Sequence, residues 1–209
     1  MLRALLTDIH ANLEALDACL EHARRQGAQG WALLGDFVGY GADPGPVIDV
    51  VMSLVEQGAF AVVGNHDEAV AGSTRPEIID DARQVIDWTR SQLTAAQRDF
   101  LAGLPLVHED GPRLYVHANA WAPGRWEYLA SAADARRSMN ATRCRQTFCG
   151  HVHDPALLRV QVLGHHLAVG RERVLGELAC QFGQFGLAVL PEVVDLELQV
   201  ELRATALVD

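Results

Sequence analysis

The sequence predicts an α/β protein in which two β-sheets pack face to face with helices on the outside. In the first part of the chain, apolar runs typical of buried strands alternate with apolar residues at helical spacing. In the last third, short β-rich runs follow one another, and one run alternates apolar and polar residues with a period of two. Without a Pro/Gly/Ser-rich linker between these parts, a single domain over residues 1–209 is expected.

A parallel βαβαβ unit is predicted at the start of the chain. Residues 2–7 form an apolar run, and Asn12 is a suitable N-cap for the helix that follows it. Strands at residues 31–34 and 60–63 flank a second helix, whose apolar side chains recur between residues 47 and 55. Such a unit pairs its strands in parallel through right-handed crossovers.

Three further helices and a buried strand are predicted in the middle of the chain. Apolar residues between 85 and 93 indicate the first helix, Thr94 can cap the second, and Ser131 can cap the third. The buried strand covers residues 114–116. The β-rich runs that follow are predicted as strands at residues 147–149, 157–162, 167–169, 187–190 and 194–203.

Composition narrows the classes of partner. The 17 Lys and Arg residues against 27 Asp and Glu residues give a net charge of −10, which disfavours long nucleic acid and anionic membrane surfaces. No apolar run has the length of a signal peptide or a membrane span, so we expect a cytoplasmic protein. The four cysteines form no CxxC pair, and we expect them to be reduced and mostly packed.

Residues of metal-ligand type follow five of the predicted strands, at the points where those strands end. The carboxyl ends of strands in α/β sheets are where ligands bind, because the loops converge there. Each motif alone is weak, since an Asp-x-His sequence is usually a turn, but the joint pattern indicates a metal site. The seven candidate ligands are two carboxylates, one amide and four imidazoles: Asp8, His10, Asp36, Asn65, His117, His151 and His153.

Seven ligands are too many for one transition-metal ion. They suit two divalent ions about 3.5 to 4 Å apart that share a bridging carboxylate. Imidazole and carboxylate donors without a thiolate favour Mn, Fe, Zn, Ni or Co, and the sequence does not choose among these ions.

Five segments, "DIH", "GDFVGYG", "GNHD", "VHAN" and "GHVH", resemble in this order the five blocks of the calcineurin-like metallophosphoesterases. The longer segments "GDFVGYGADPGPVI" and "GNHDEAVAG" are similar to a bacterial and archaeal phosphodiesterase-like branch of that superfamily. The resemblance implies a four-layer αββα sandwich of two mixed β-sheets flanked by helices. It covers the chain from Asp8 to His153.

The resemblance also implies a role for each residue. Two sets of ligands would hold one ion each with Asp36 bridging them: Asp8, His10 and His153 for the first ion, and Asn65, His117 and His151 for the second. His66 is implied as the proton donor to the leaving oxygen, so that His66, Asp36 and Asn65 are the expected catalytic residues. Asn12 and Trp126 are the predicted substrate contacts.

The expected activity is hydrolysis of phosphodiester or phosphomonoester bonds of small molecules by a metal-bridging hydroxide, with His66 as general acid. A nuclease or nucleotide hydrolase of the same chemistry and a non-catalytic interaction module are the alternatives, and the oligomeric state stays open. Gly39 and Tyr40 stand where protein phosphatases of the superfamily have Asp and Arg, which disfavours that activity. Residues 170–186 take the place of the late substrate loop of the family.

Asp67 has three candidate roles. It can orient His66, hold the backbone of the turn, or cap a helix that begins at Glu68.

Overall fold

The computed structural model describes residues 1–72, 80–154, 157–163, 166–172 and 186–190, with backbone alone for residues 80–82 and for those after 154. The strand predicted at 194–203 and most of segment 170–186 lie outside the described residues. In chain order the elements are β1 (Arg3–Thr7), α1 (Leu13–Arg25), β2 (Gly30–Leu33), α2 (Pro44–Glu56), β3 (Phe60–Ala61), α3 (Asn65–Ala71), α4 (Asp80–Gln92), α5 (Ala95–Ala102), β4 (Val107–Asp110), β5 (Arg113–Val116), a 3-10 turn (Pro123–Arg125), α6 (Ala132–Asn140), β6 (Gln146–Phe148), β7 (Leu157–Leu163), β8 (His166–Glu172) and β9 (Gly186–Leu190).

The first sheet has the strand order β3-β2-β1-β9. Strand β1 pairs in parallel with β2, and β2 pairs in parallel with β3, as the predicted βαβαβ unit requires. Strand β9 pairs antiparallel with β1, which makes the sheet mixed. The carboxyl ends of three parallel strands therefore lie at one edge of this sheet.

Strand β3 is shorter than the predicted run of residues 60–63. Val62 still donates its amide to the carbonyl of Leu33, but Val63 donates to the carbonyl of Pro105, outside the sheet. The apolar run continues because these valines are buried, and burial alone does not distinguish a paired strand from a packed loop.

The second sheet has the order β4-β5-β6, with β4 antiparallel and β6 parallel to β5. Strand β4 was not predicted, because its residues alternate between exposed and half-buried positions and form no apolar run. Strands β7 and β8 form a separate antiparallel pair.

Two hydrophobic clusters show how the layers pack. Alternate residues of β1, such as Ala4 and Leu6, belong to a large cluster shared with the helices. Between them, Leu5 belongs to a second cluster that also contains Ala32 of β2 and Tyr115 of β5. The first sheet is therefore buried on both faces, by helices on one side and by the second sheet on the other, which confirms the predicted fold class.

The predicted helix caps are present. Asn12 accepts the Ala15 amide through its side-chain oxygen at 2.9 Å, and Ser131 accepts the Asp134 amide at 3.2 Å. Thr94 forms a reciprocal capping box with Gln97. The side-chain oxygen of Asn12 thus caps α1. The substrate contact expected from Asn12 stays a prediction.

Three of the four cysteines lie within the described residues. Cys19 is buried, Cys144 and Cys149 are half-buried, and none of these three forms a disulfide. None of the helices in the described part of the chain combines the length and apolar character that a bilayer crossing requires.

Candidate metal centre

The structure brings the seven predicted ligands together where the parallel strands of both sheets have their carboxyl ends. Asp8 and His10 follow β1, and Asp36 follows β2. Asn65 begins α3 after β3, His117 follows β5, and the two remaining imidazoles follow β6. Short parallel pairings in each sheet bring these five chain segments to one edge.

Side-chain atoms of these residues lie at separations that a shared cation requires. Two donors about 2.1 Å from one ion are themselves roughly 3.0 to 3.4 Å apart. Nε2 of His153 lies 3.2 Å from Nε2 of His10 and 3.2 Å from Oδ1 of Asp8. Nε2 of His117 lies 3.2 Å from Oδ1 of Asn65 and 3.2 Å from Oδ2 of Asp36. Both groups therefore have the spacing of a coordination shell.

Asp36 lies between the two groups. Its Oδ2 atom is 3.2 Å from Nε2 of His117 and 3.9 Å from Nε2 of His10. Candidate donors that lie within 4.8 Å of one another form three sets: Asp8, His10 and His153; His10, Asp36 and His66; and Asp36, His117 and His151. The second set includes His66, which the resemblance implied as a proton donor and not as a ligand.

Hydrogen bonds to backbone carbonyls determine which nitrogen of each imidazole faces the site. Nδ1 of His10 bonds the carbonyl of Val38 at 3.1 Å, and Nδ1 of His117 bonds that of Leu34 at 2.7 Å. A carbonyl accepts only from a protonated nitrogen, so Nε2 of each neutral ring keeps its lone pair for the site. His151 is the reverse, because its Nε2 bonds the carbonyl of Trp126 at 2.9 Å and leaves Nδ1 free.

Hydrogen bonds also orient the two carboxylates. Asp8 accepts the hydroxyl of Thr7 at 2.7 Å and the amide of His151 at 3.0 Å, which joins β1 to the loop after β6. Asp36 accepts the amide of His66 at 2.9 Å through its Oδ1 atom. At Gly64 a Cβ atom would collide with this carboxylate, which explains the glycine of "GNHD".

The structure decides among the three roles of Asp67. Helix α3 begins at Asn65, three residues earlier than the alternative that started it at Glu68, so Asp67 is not its N-cap. Its fully buried carboxylate accepts the amides of Asp36, Phe37 and Val38 at 2.8, 2.9 and 3.2 Å. It also accepts the Gly64 amide at 2.9 Å. Asp67 therefore holds the backbone of the turn that presents Asp36.

The backbone of the site is strained. Eight non-glycine residues in the described part of the chain have a left-handed φ: Asp8, His10, Ala11, Asp36, Tyr40, Trp126, His151 and His153. All of them except Ala11, Tyr40 and Trp126 are predicted ligands. This conformation costs about 1 to 2 kcal/mol per residue. It persists only where surrounding contacts enforce it, as they do at many functional sites.

Proton affinities in the site reflect burial opposed by charge. Burial disfavours ionisation of Asp36, but the hydrogen bond and charge of His117 outweigh it and lower the pKa of Asp36 to about 2. Burial likewise disfavours protonation of His117, but Asp36 outweighs it and raises the pKa of His117 to about 9. His10 lacks such a direct bond, and burial lowers its pKa to about 4. A cation that binds between Asp36 and His117 would therefore compete with the proton that Asp36 favours on His117.

His66 lies on the side of the site next to the loop after β2. Its ring centroid is 4.9 Å from that of His10 and 4.7 Å from that of Tyr40. At Gly39, whose φ is +90°, a Cβ atom would collide with Nδ1 of His66. Packing against Gly39 and Tyr40 therefore positions this imidazole. Burial lowers the pKa of His66.

The loop after β5 packs against His117 and His151. Trp126 donates its indole N–H to Glu68 at 3.1 Å, and its ring lies edge-on to His117 with centroids 5.9 Å apart. The substrate contact expected from Trp126 stays a prediction. Tyr128 stacks on His151 with ring centroids 4.3 Å apart and 17° between the planes.

Sequence reasoning gave no contact in the site to Thr7 or Tyr40. Nothing in their spacing separates them from ordinary surface or turn residues, because their contacts depend on how the loops fold. His108 stacks on Phe60 with ring centroids 4.1 Å apart, away from the site.

The fold and site define a class: an α/β protein of two facing mixed sheets with Asp and His groups gathered at the strand ends. A family profile described as the calcineurin-like phosphoesterase superfamily domain matches residues 1–171. The chain belongs to this family, whose members are generally metal-dependent phosphoester hydrolases.

Similar proteins agree with this assignment. The chain is 36% identical over 131 residues to the uncharacterized protein MJ0912 of Methanocaldococcus jannaschii, which covers 60% of this chain and 53% of that protein. The crystal structure of a metallophosphoesterase from Sphaerobacter thermophilus is similar with a TM-score of 0.66 and 36% identity, over 75% of this chain and 62% of that one. The chain thus spans less than two thirds of both proteins.

A second structure shares the fold. The hypothetical protein PH1004 of Pyrococcus horikoshii OT3 matches with a TM-score of 0.64 and 19% identity, over 83% of this chain and 87% of that one.

Proposed function

We propose that this chain is a two-metal phosphoester hydrolase acting on phosphodiester or phosphomonoester bonds of small molecules. The observation that supports it most is the position of Asp36, whose Oδ2 atom lies near His10 of one group and His117 of the other. A carboxylate between two imidazole-rich groups is what a pair of bridged cations requires.

The residues present fit two divalent ions. One set comprises Asp8, His10 and His153, and the other comprises Asn65, His117 and His151, with Asp36 between them. With Nδ1 of His10 and His117 bonded to a carbonyl, Nε2 of each ring would be the ligand atom once it carries no proton, as ligation requires. Oxygen and imidazole donors suit Mn, Fe, Zn, Ni or Co.

When bound, two such ions would supply a hydroxide for attack and would balance the charge of the phosphate. Asn65 offers an oxygen without adding negative charge, so the site stays attractive to an anion in a protein of net charge −10. His66 would protonate the leaving oxygen, a step typically worth about 10² to 10⁴ in rate. Burial opposes this protonated form, because it lowers the pKa of His66.

The test is an assay of purified, metal-analysed protein with Mn, Ni, Co, Zn and Mg. Bis-p-nitrophenyl phosphate and p-nitrophenyl phosphate distinguish diesterase from monoesterase activity. We expect turnover of at least one ester that depends on added ion and disappears in Asp36→Asn. Silence on both esters from a chain with bound metal would favour the non-catalytic alternative.

A nuclease or nucleotide hydrolase would use the same chemistry on larger substrates. The net charge of −10 argues against long nucleic acid, because phosphate contacts are made by clustered Lys and Arg. A single domain over residues 1–209 stays a prediction, since the family match ends at residue 171.

A further inference from the structure

Two exposed tyrosines contact histidines of the candidate metal centre. Among the large hydrophobic side chains that the structure describes, Tyr40 and Tyr128 are the most exposed, at 67% and 61%. A single exposed aromatic is ordinary on a protein surface. Here both rings rest on imidazoles of one site, which associates them with whatever enters it.

The contacts leave a free face on each ring. Tyr40 meets His10 and His66 with centroids 4.7 Å apart in both cases, at interplanar angles of 65° and 56°. Tyr128 stacks flat on His151, so its opposite face points away from that imidazole. Each tyrosine therefore covers a site histidine with part of its surface and presents the remainder to solvent.

The backbone aims Tyr40 at this position. Its φ of 64° is left-handed, a conformation that a bulky side chain rarely adopts without support from its surroundings. Tyr40 contacts His10 of one donor group, and Tyr128 contacts His151 of the other. The two rings therefore lie against the two donor groups that Asp36 joins.

We propose that Tyr40 and Tyr128 determine specificity by stacking on a flat ring of the substrate. The preferred esters are therefore those of an alcohol that carries an aromatic ring or a nucleobase. The proposal rests on the proposed function. His66 is the proposed donor to the leaving oxygen, and Tyr40 contacts His66, so a ring attached to that oxygen comes to lie over Tyr40. Tyr128 stacks on His151 of the other donor group and offers a second ring surface.

Offset or edge-to-face contact between aromatic rings gives a gain of about three- to tenfold in affinity over a saturated ring of the same size. Stacking does not require a particular pattern of hydrogen bonds, so the pair selects a flat ring and not one base. The preference therefore concerns the class of alcohol.

The test compares benzyl phosphate with cyclohexylmethyl phosphate, whose alcohols are both primary and similar in size. Wild-type protein is expected to favour the benzyl ester by roughly three- to tenfold in kcat/KM. Tyr40→Phe keeps that ratio, Tyr40→Leu brings it close to one, and Tyr128→Leu lowers it. Trp88→Leu, a change at another exposed aromatic, located on α4, is the matched control and leaves the ratio unchanged.

Binding without turnover gives a second measurement. Calorimetry of metal-loaded protein with benzylphosphonate and cyclohexylmethylphosphonate should show the same preference and the same loss in Tyr40→Leu. If phosphonates discriminate while no ester is hydrolysed, the proposed function fails and the tyrosine pair stands. If the ratio of kcat/KM for the two esters is the same in wild type and Tyr40→Leu, the tyrosine proposal is overturned. Equal binding of the two phosphonates would overturn it as well.

Discussion

The carboxylate of Asp67 accepts four backbone amides from two loops, and each loop presents a predicted ligand, Asp36 or Asn65. Asp67→Asn would replace one of the two accepting oxygens by a donor, leaving two buried amides unpaired. A lost partner costs roughly 1 to 3 kcal/mol for each buried group. We therefore expect a clear drop in the free energy of unfolding, measured by urea denaturation of chelator-treated protein.

Asp17→Asn is the control for this change, because Asp17 is exposed on α1. It should leave the unfolding free energy within about 0.5 kcal/mol of the wild type. Equal effects of the two substitutions would contradict the role given to Asp67.

His66 is expected to act on the leaving group and not to hold metal. His66→Ala should therefore keep the metal content of the wild type and lose about 10²-fold or more in kcat on esters with poor leaving groups. The loss should shrink on p-nitrophenyl esters, whose alcohol leaves without a proton. His22→Ala, on α1, is the matched control, and a variant as active as wild type on every ester would remove His66 from the mechanism.

At the residue scale, the sequence predicted which side chains gather, and the structure shows why. Ligand-type residues stand directly after apolar runs, so the strand pattern alone places them at one edge. The ring nitrogen that each histidine presents was not predictable, because it depends on carbonyls such as Leu34 and Trp126 from other segments. The same holds for Tyr40 and Tyr128, whose exposure and stacking depend on loop geometry.

Among the elements, strands buried on both faces were predicted well, because a continuous apolar run is a strong signal. Strand β4 was missed since its residues are half exposed. The start of α3 was missed as well, because its N-cap is Gly64, which has no side chain that could mark a cap. Helix α5 was predicted correctly from Thr94.

Helix α5 offers a test of that cap. Thr94→Ala removes the oxygen that accepts the Gln97 amide and should lower the free energy of unfolding by about 1 kcal/mol. Thr94→Ser keeps the oxygen and should be close to wild type. Thermal or urea unfolding measures both, and equal stability of the Ala and Ser variants would contradict the capping role.

An ion pair joins the two sheets. Arg3 of β1 donates to Asp110 of β4 at 2.6 Å, and this bond lowers the pKa of Asp110 below its ordinary value of 3.8. A lowered pKa in the folded state adds stability above the unfolded pKa, and the gain is lost as the pH falls through the folded pKa. Asp110 is partly exposed, so we expect less than about 1 kcal/mol.

The free energies of unfolding of wild type and Asp110→Asn, measured with urea, should thus differ at pH 7, and the difference should decline below about pH 4. In an Arg3→Gln background, Asp110→Asn should have little effect at either pH. A difference that grows as the pH falls would contradict the sign derived from this pair.

For the whole molecule, metal binding and stability are linked. Ions that bind the folded chain and not the unfolded one stabilise it by about 2.7 kcal/mol at a free concentration one hundred times Kd. Treatment with a chelator should therefore lower Tm, and added ion should restore it. Asp36→Asn should show a smaller shift, because the proposed bridge is lost. An equal Tm with and without ion would contradict the linkage.

If two cations share the site through Asp36, the number of ions bound per chain is two. Native mass spectrometry of chelator-treated protein titrated with Mn²⁺ should show saturation at two ions in the wild type. Asp36→Asn should bind fewer at the same concentration. Saturation of the wild type at one ion, or no specific binding, would contradict a bridged pair.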